Sequence, residues 1–143
     1  MSKVAVVYWS GTGNTEAMAM AVAEGAKGKG AEVSVITAAE FSPEQVSEYS
    51  AIAFGCPSMG AEQLEESEFE PMFTACEGRL SGKNIALFGS YGWGDGAWMR
   101  EWCSRCQAAC ANLYDEEGLM ANESPNEEAR ETCRELGQKL AAW

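Results

Sequence analysis

Residues Val4 to Thr15 read VAVVYWSGTGNT, and this stretch decides the architecture. Val4 to Tyr8 is a short apolar run rich in β-branched side chains, the pattern of a parallel strand buried on both faces. It stops abruptly in Ser10-Gly11-Thr12-Gly13-Asn14-Thr15, and Glu16 then opens a long helical pattern. In that order, a strand, a hydroxyl-and-glycine loop and a helix aim a row of backbone N–H groups at one point. Such a point favours an anion, because the first N–H groups of a helix lack partners and its dipole is positive there. Ser10, Thr12 and Thr15 add hydroxyls, Asn14 adds an amide, and the loop contains no lysine or arginine. The stretch predicts a phosphate cradle made of neutral donors.

Two better-known phosphate loops are excluded by their own residues. A Walker loop needs a lysine after its last glycine, and none is present. A dinucleotide fingerprint needs a third small residue three positions after the second glycine, where Glu16 stands. The competing reading is a plain strand-to-helix turn in which Ser10 and Thr12 only cap.

Outward from this stretch, apolar runs and helical patterns alternate. Ala17 to Ala26 is helical and is stopped by Gly28 and Gly30; Ala31 to Thr37 is a second strand. Phe41 to Glu48 reads as a short helix with Pro43 in its first turn. Ala51 to Cys56 and Asn84 to Ser90 are buried strands, separated by a helix over Phe69 to Leu80. Ala97 to Cys110 is helical, and Asn126 to Leu140 is an amphipathic helix with Ala129, Cys133, Leu136 and Leu140 on one face. The fifth strand is poor: Leu113 to Asn122 carries Asp115, Glu116 and Glu117 where an apolar run belongs. Either it is an edge strand broken by a bulge, or only Gly118 to Ala121 is extended. Strands alternating with helices imply one domain over residues 1–143, a parallel sheet covered on both sides.

Composition narrows the function. The 143-residue chain carries 22 acidic against 10 basic residues, a formal charge of −12, and no histidine. The charge would repel nucleic acid and suits basic protein partners. Without histidine the usual general base and commonest transition-metal ligand are missing, so hydrolytic and zinc chemistry are disfavoured. No apolar run reaches membrane-spanning length, and the opening residues predict a strand rather than a signal sequence. Six cysteines in that context predict reduced thiols in the cytoplasm.

In a sheet of this kind ligands sit beyond the carboxyl ends of the strands. Two more loops therefore matter: Cys56-Pro57-Ser58-Met59-Gly60-Ala61-Glu62 and Ser90-Tyr91-Gly92-Trp93-Gly94-Asp95-Gly96. An aromatic flanked by glycines on a loop is costly to expose unless it covers something flat. Trp93 is the candidate for one face of a planar ring and the soft thioether of Met59 for the other. Met59 to Glu62 reads as a β-turn centred on Gly60 and Ala61.

YWSGTGNT, GCPSMG, LEESEFEP and LFGSYGWGDG together resemble the short-chain, clostridial-type flavodoxins over roughly positions 3 to 110. The resemblance implies a doubly wound five-stranded parallel sheet of order 2-1-3-4-5, with helices on both faces. It implies a one-electron carrier with non-covalently bound FMN that transforms no substrate, working as a monomer with redox proteins that carry basic docking patches: reductases and low-potential oxidoreductases. On it, Ser10, Thr12, Gly13, Asn14 and Thr15 hold the FMN phosphate in a loop that includes Gly11, while Met59 and Trp93 sandwich the isoalloxazine. Glu62 accepts from the ring N3–H, and the Gly60 carbonyl meets N5 when N5 is protonated. Ser90, Gly92 and Trp93 give backbone contacts at the pyrimidine edge, and Asn122 reaches the ribityl chain. Ser58, Ala61, Tyr91 and Gly94 complete the two flavin loops. Ala61 departs from the polar or glycine residue usual at its position, and past position 110 the match thins.

A carrier of this type must stabilise the flavin semiquinone and make the fully reduced flavin strongly reducing. Glu62, Glu65, Glu66, Glu68 and Glu70 cluster beside one flavin loop and Asp95 lies in the other, so negative charge lowers the second potential. A solvated acidic helix face is the plainer reading of these glutamates. Two rival functions remain: a small FMN-dependent NAD(P)H reductase, and a thiol–disulfide oxidoreductase using Cys103 and Cys106. The second pair lies two turns inside a helix rather than at its start, and packing among Met99, Trp102, Cys106 and Cys110 accounts for it more simply.

Overall fold

The computed structural model describes residues 2–60, 62–92, 94–114 and 117–143. Its elements are β1 (Lys3–Tyr8), α1 (Asn14–Gly28), β2 (Glu32–Thr37), β3 (Ala51–Gly55), α2 (Phe69–Cys76), β4 (Asn84–Tyr91), α3 (Ala97–Ala108), β5 (Asn112–Leu113), β6 (Leu119–Asn122) and α4 (Glu127–Ala142). All ladders are parallel, and the order is β2-β1-β3-β4, with β5 and β6 each paired to β4. That is the expected 2-1-3-4-5 order, with the fifth position filled by two short pieces. The acidic stretch that weakened this strand in the sequence falls between the pieces; Asp115 and Glu116 lie outside the described residues.

The period of two sorts the central strands onto two faces. Ala5, Val7, Ile52, Phe54, Ile85 and Leu87 face α2 and α3, where Phe69, Phe73, Trp98 and Trp102 fill the layer. Val4, Val6, Ala51, Ala53, Ala86 and Phe88 face α1 and α4. The difference in side-chain size is structural. Aromatic rings pack edge-to-face under α2 and α3, with Phe54–Phe73 centroids 5.2 Å apart and Phe69–Trp102 5.4 Å apart. On the other face small residues let two helices come close. A β-carbon on Gly25 would lie 1.9 Å from the Arg134 carbonyl oxygen, and one on Gly137 2.0 Å from that of Val22.

Several boundaries move. Residues 43–48 form a 3-10 helix rather than an α-helix, with Pro43 first and the Ser42 N–H donating to the Gln45 side chain at 2.8 Å. The segment from Phe69 leaves α-helix at Cys76 and finishes in a 3-10 turn, Glu77–Arg79. α3 ends at Ala108, and Cys110, expected on the buried face, is exposed at φ 63 just beyond the helix. Among the described residues no helix is long and apolar enough to cross a membrane.

Candidate functional site

α1 starts at Asn14, and its N-cap is Gly13 at φ 97, a left-handed conformation that glycine adopts without steric cost. Ser10 does the capping from outside the helix: its Oγ accepts from the Gly13 N–H at 3.1 Å and the Glu16 N–H at 3.2 Å. The plain-turn reading is thus half right. Ser10 caps as an acceptor and still has its own proton to donate, while the Thr12 side chain caps nothing and is exposed. The N–H groups of Gly11, Thr12, Asn14 and Thr15 make no hydrogen bond to other described residues. Beside the loop, the Tyr8 hydroxyl donates to Glu16 at 3.1 Å, and burial followed by this carboxylate raises the Tyr8 pKa.

Parallel pairing brings the loops after β1, β3 and β4 to the same end of the sheet. Cys56 N–H donates to the Phe88 carbonyl at 3.1 Å and Ser58 N–H to the Ser90 carbonyl at 3.0 Å, extending the β3–β4 ladder beyond its last paired residues. A cleft of 260 Å³ results, lined by Ser10, Gly11, Thr12, Asn14 and Thr15 on one side. Ser58, Met59, Ser90, Tyr91 and Gly92 line the other side. Larger hollows of 950 and 590 Å³ lie elsewhere, one between β6 and α4 and one on the β2 side of the phosphate loop. Neither unites the three loops, so chemistry and not size picks the site.

The expected β-turn closes one residue late. Met59 N–H donates to Gln63 O at 2.8 Å and Gln63 N–H to Met59 O at 3.0 Å, with Gly60 at φ 50 and Glu62 at φ 53. A glutamate in the left-handed region is uncommon. Its carboxylate ties the loops after β3 and β4 together: Oε1 accepts from the Asp95 N–H at 3.3 Å. Oε2 is buried and has no hydrogen-bond partner among the described residues. Ala61 and Trp93 lie outside the described residues.

Asn122 does not join the cleft. Its Nδ2 donates to the Tyr91 carbonyl at 3.3 Å, and the residue lines the groove on the α4 side. Its neighbour Glu123 takes the place, at φ 57, held by its N–H to Tyr91 O at 2.7 Å. Sequence reading missed Glu123, since nothing in Asn-Glu-Ser-Pro marks which residue turns inward.

The glutamate cluster separates into different jobs. Glu65 is 6% exposed and turns inward. It accepts from the N–H groups of Ser67, Glu68 and Phe69 at 2.9, 2.8 and 2.9 Å, and from the Ser67 hydroxyl. Burial alone would raise its pKa, but these hydrogen bonds outweigh burial and hold the carboxyl below its usual range. Glu70 pairs with Arg105 at 2.7 and 2.8 Å, and Glu77 joins the same guanidinium. Glu68 accepts from Trp9 Nε1 at 2.9 Å, and Glu66 is exposed. The solvated-face reading therefore fails for Glu65 and Glu70.

The thiol pair is core. Cys103 and Cys106 are buried within α3, and burial pushes the Cys106 pKa up to about 12. No disulfide joins any of the cysteines, and among the described residues no cluster of three or more His, Cys, Asp or Glu could hold a metal ion. Thiolate redox chemistry needs a lowered pKa and access, and the buried Cys106 has neither.

A doubly wound parallel sheet with a donor-rich loop and two flanking loops at its carboxyl edge has the layout of a nucleotide-binding α/β protein. The flavodoxin family model matches residues 6–137, and the chain belongs to the flavodoxin family. It is 42% identical to the flavodoxin of Clostridium beijerinckii over 136 residues, covering 95% of this chain and 97% of that one. It is likewise 42% identical to the flavodoxin of Megasphaera elsdenii over 138 residues, covering 96% and 98%. The solution structure of the two-electron reduced Megasphaera elsdenii flavodoxin superposes with a TM-score of 0.86 at 40% identity, over 98% of this chain and 99% of that one. The chain is an FMN-bound electron carrier that exchanges electrons with redox proteins; it is not an enzyme. The reductase and thiol–disulfide alternatives are not favoured.

Proposed function

We propose that the 260 Å³ cleft takes FMN with its phosphate on the Ser10–Thr15 loop and its ring toward the loops after β3 and β4. One observation carries this reading: Gly11, Thr12, Asn14 and Thr15, whose N–H groups have no partner among the described residues, line one cleft with Ser10, Met59 and Tyr91. A phosphate held without a cation needs several charge-assisted hydrogen bonds, and this loop offers them. When bound, FMN supplies the one-electron chemistry; the protein supplies position and electrostatics.

Glu62 fits the edge of the ring. A buried carboxylate oxygen without a donor is costly, and a ring N–H would satisfy it. Gly60 has no atom within 4 Å of where a β-carbon would stand, which leaves its peptide room to turn toward the ring. Ser58 and Met59 form one wall and Ser90, Tyr91 and Gly92 the other, while Gly60 and Gly94 lie in the same two loops outside the lining. Ala61 and Trp93 belong to these walls by the sequence resemblance. Asn122 serves by holding the Tyr91 carbonyl, and Glu123 faces the cleft in its place.

Exposed Glu66, Glu68, Asp95 and Glu123 ring this end of a chain of net charge −12. They lower the potential of the bound flavin and steer basic docking patches of reductases and low-potential oxidoreductases onto it. The carrier works as a cytoplasmic monomer. Reductive titration of the FMN-loaded protein at low and high salt tests this reading. Screening should raise the midpoint of the second electron and slow electron transfer to a basic partner. A midpoint unmoved by salt would refute the electrostatic assignment, and equal affinity for FMN and riboflavin would refute the phosphate assignment.

A further inference from the structure

Two hydroxyl groups meet in the interior where α1 begins and β4 ends. Thr15 is 1% exposed and Ser90 is 5% exposed, and their oxygens lie 2.7 Å apart, with either able to donate. Each hydroxyl has one proton. The bond between them uses one, and the other finds no acceptor among the described residues. Both residues line the cleft shared with Thr12, Asn14 and Met59. The pair therefore has two proton orders. With Ser90 donating to Thr15, the spare proton is on Thr15, at the phosphate loop. With Thr15 donating to Ser90, it is on Ser90, at the end of β4.

We infer that the Thr15–Ser90 pair is a hydroxyl relay whose proton order is set by the phosphate, making Ser90 a positioning residue for that group from a neighbouring strand. The inference rests on the phosphate assignment made above. A phosphate dianion only accepts, so it selects the order Ser90 to Thr15 to phosphate. Chained hydrogen bonds polarise one another, and the Thr15 donor is strengthened by the Ser90 donor behind it. A ligand lacking the phosphate imposes no order. Ser90 also accepts from the Ser58 N–H through its carbonyl at 3.0 Å, so the residue that backs the phosphate donor also anchors the Met59 loop.

If the bond were only a tie between α1 and β4, its loss would weaken FMN and riboflavin alike. The test titrates the apoprotein with each flavin by fluorescence in wild type, Ser90→Ala, Thr15→Val and the double variant. The relay predicts that Ser90→Ala, which keeps the backbone carbonyl, lowers the ratio of FMN to riboflavin affinity by about three- to tenfold. In the Thr15→Val background, Ser90→Ala should not lower the FMN-to-riboflavin preference further, because the chain is already cut. Thr15→Ser, which keeps the hydroxyl, should restore the preference from the other end of the relay. The phosphorus NMR resonance of bound FMN should move in Ser90→Ala. An unchanged preference in Ser90→Ala, equal losses for both flavins, or additive effects of the two substitutions would overturn the relay while leaving the phosphate site standing. Equal affinities for both flavins in wild type would overturn the phosphate assignment and the relay with it.

Discussion

Glu62 rests directly on the backbone of Gly94: a β-carbon there would lie 2.1 Å from Glu62 Oε1 and 2.4 Å from its carboxyl carbon. The close approach lets Oε1 take the Asp95 N–H, while Oε2 is buried with no hydrogen-bond partner among the described residues. Gly94 is also at φ 92, where an L side chain costs roughly 1–2 kcal/mol.

Gly94→Ala should therefore move Glu62 and strain its own loop together. Affinity should fall about tenfold or more for FMN and for riboflavin alike, since the disturbed groups face the ring and not the phosphate. Flavin titration followed by fluorescence checks this. A selective loss of FMN alone would contradict the placement of Glu62 at the ring.

Thr12→Ala removes an exposed hydroxyl that bonds to nothing else among the described residues, so the fold should be untouched. One charge-assisted hydrogen bond is worth about 1.5–3 kcal/mol. FMN affinity should drop by roughly tenfold or more with an unchanged melting temperature. Riboflavin affinity, measured in parallel, should not change.

Glu65 makes stability depend on pH. Its folded pKa is depressed, so its contribution is complete above the ordinary value of 4.5 and is lost as pH falls through the lower folded value. Denaturant melts of wild type should lose stability over that acid window. Glu65→Gln should lower stability at neutral pH by about 1.5–3 kcal/mol and flatten the acid dependence, because the neutral amide caps α2 less well. A variant equal to wild type at neutral pH, or one that loses stability through the acid window as steeply as wild type, would contradict this role.

Gly137→Ala and Gly28→Ala pit packing against helix propensity. An alanine in an open helix position gains up to about 1 kcal/mol over glycine, and Gly28 has nothing within 4 Å of the added carbon. At Gly137 the same carbon meets the Val22 carbonyl oxygen at 2.0 Å and the Ala26 nitrogen at 2.8 Å, so α4 must move off α1. Gly28→Ala should be neutral or stabilising, and Gly137→Ala should cost about 1–3 kcal/mol in chemical denaturation.

The residues that announced the fold did so through local chemistry. A β-branched run too short for a helix and ended by glycines suits a strand buried on both faces, and Ser-Gly-Thr-Gly-Asn-Thr before a helical period gives a loop rich in donors. The order of elements, the parallel sheet and the donor-rich loop after β1 were legible for that reason. What tertiary contacts alone decided was where each charge and turn would point. Nothing local distinguishes Glu65, folded under α2 to take three N–H groups, from Glu66 beside it in solvent; the difference is the helix N-terminus that the chain's path lays over one of them. Whether Asn122 or Glu123 faces the cleft depends on how β6 registers against Tyr91, a pairing made across 31 residues of sequence. The Thr15–Ser90 bond joins residues 75 apart, and only the parallel alignment of β1 with β3, and of β3 with β4, brings those two hydroxyls within reach of one another.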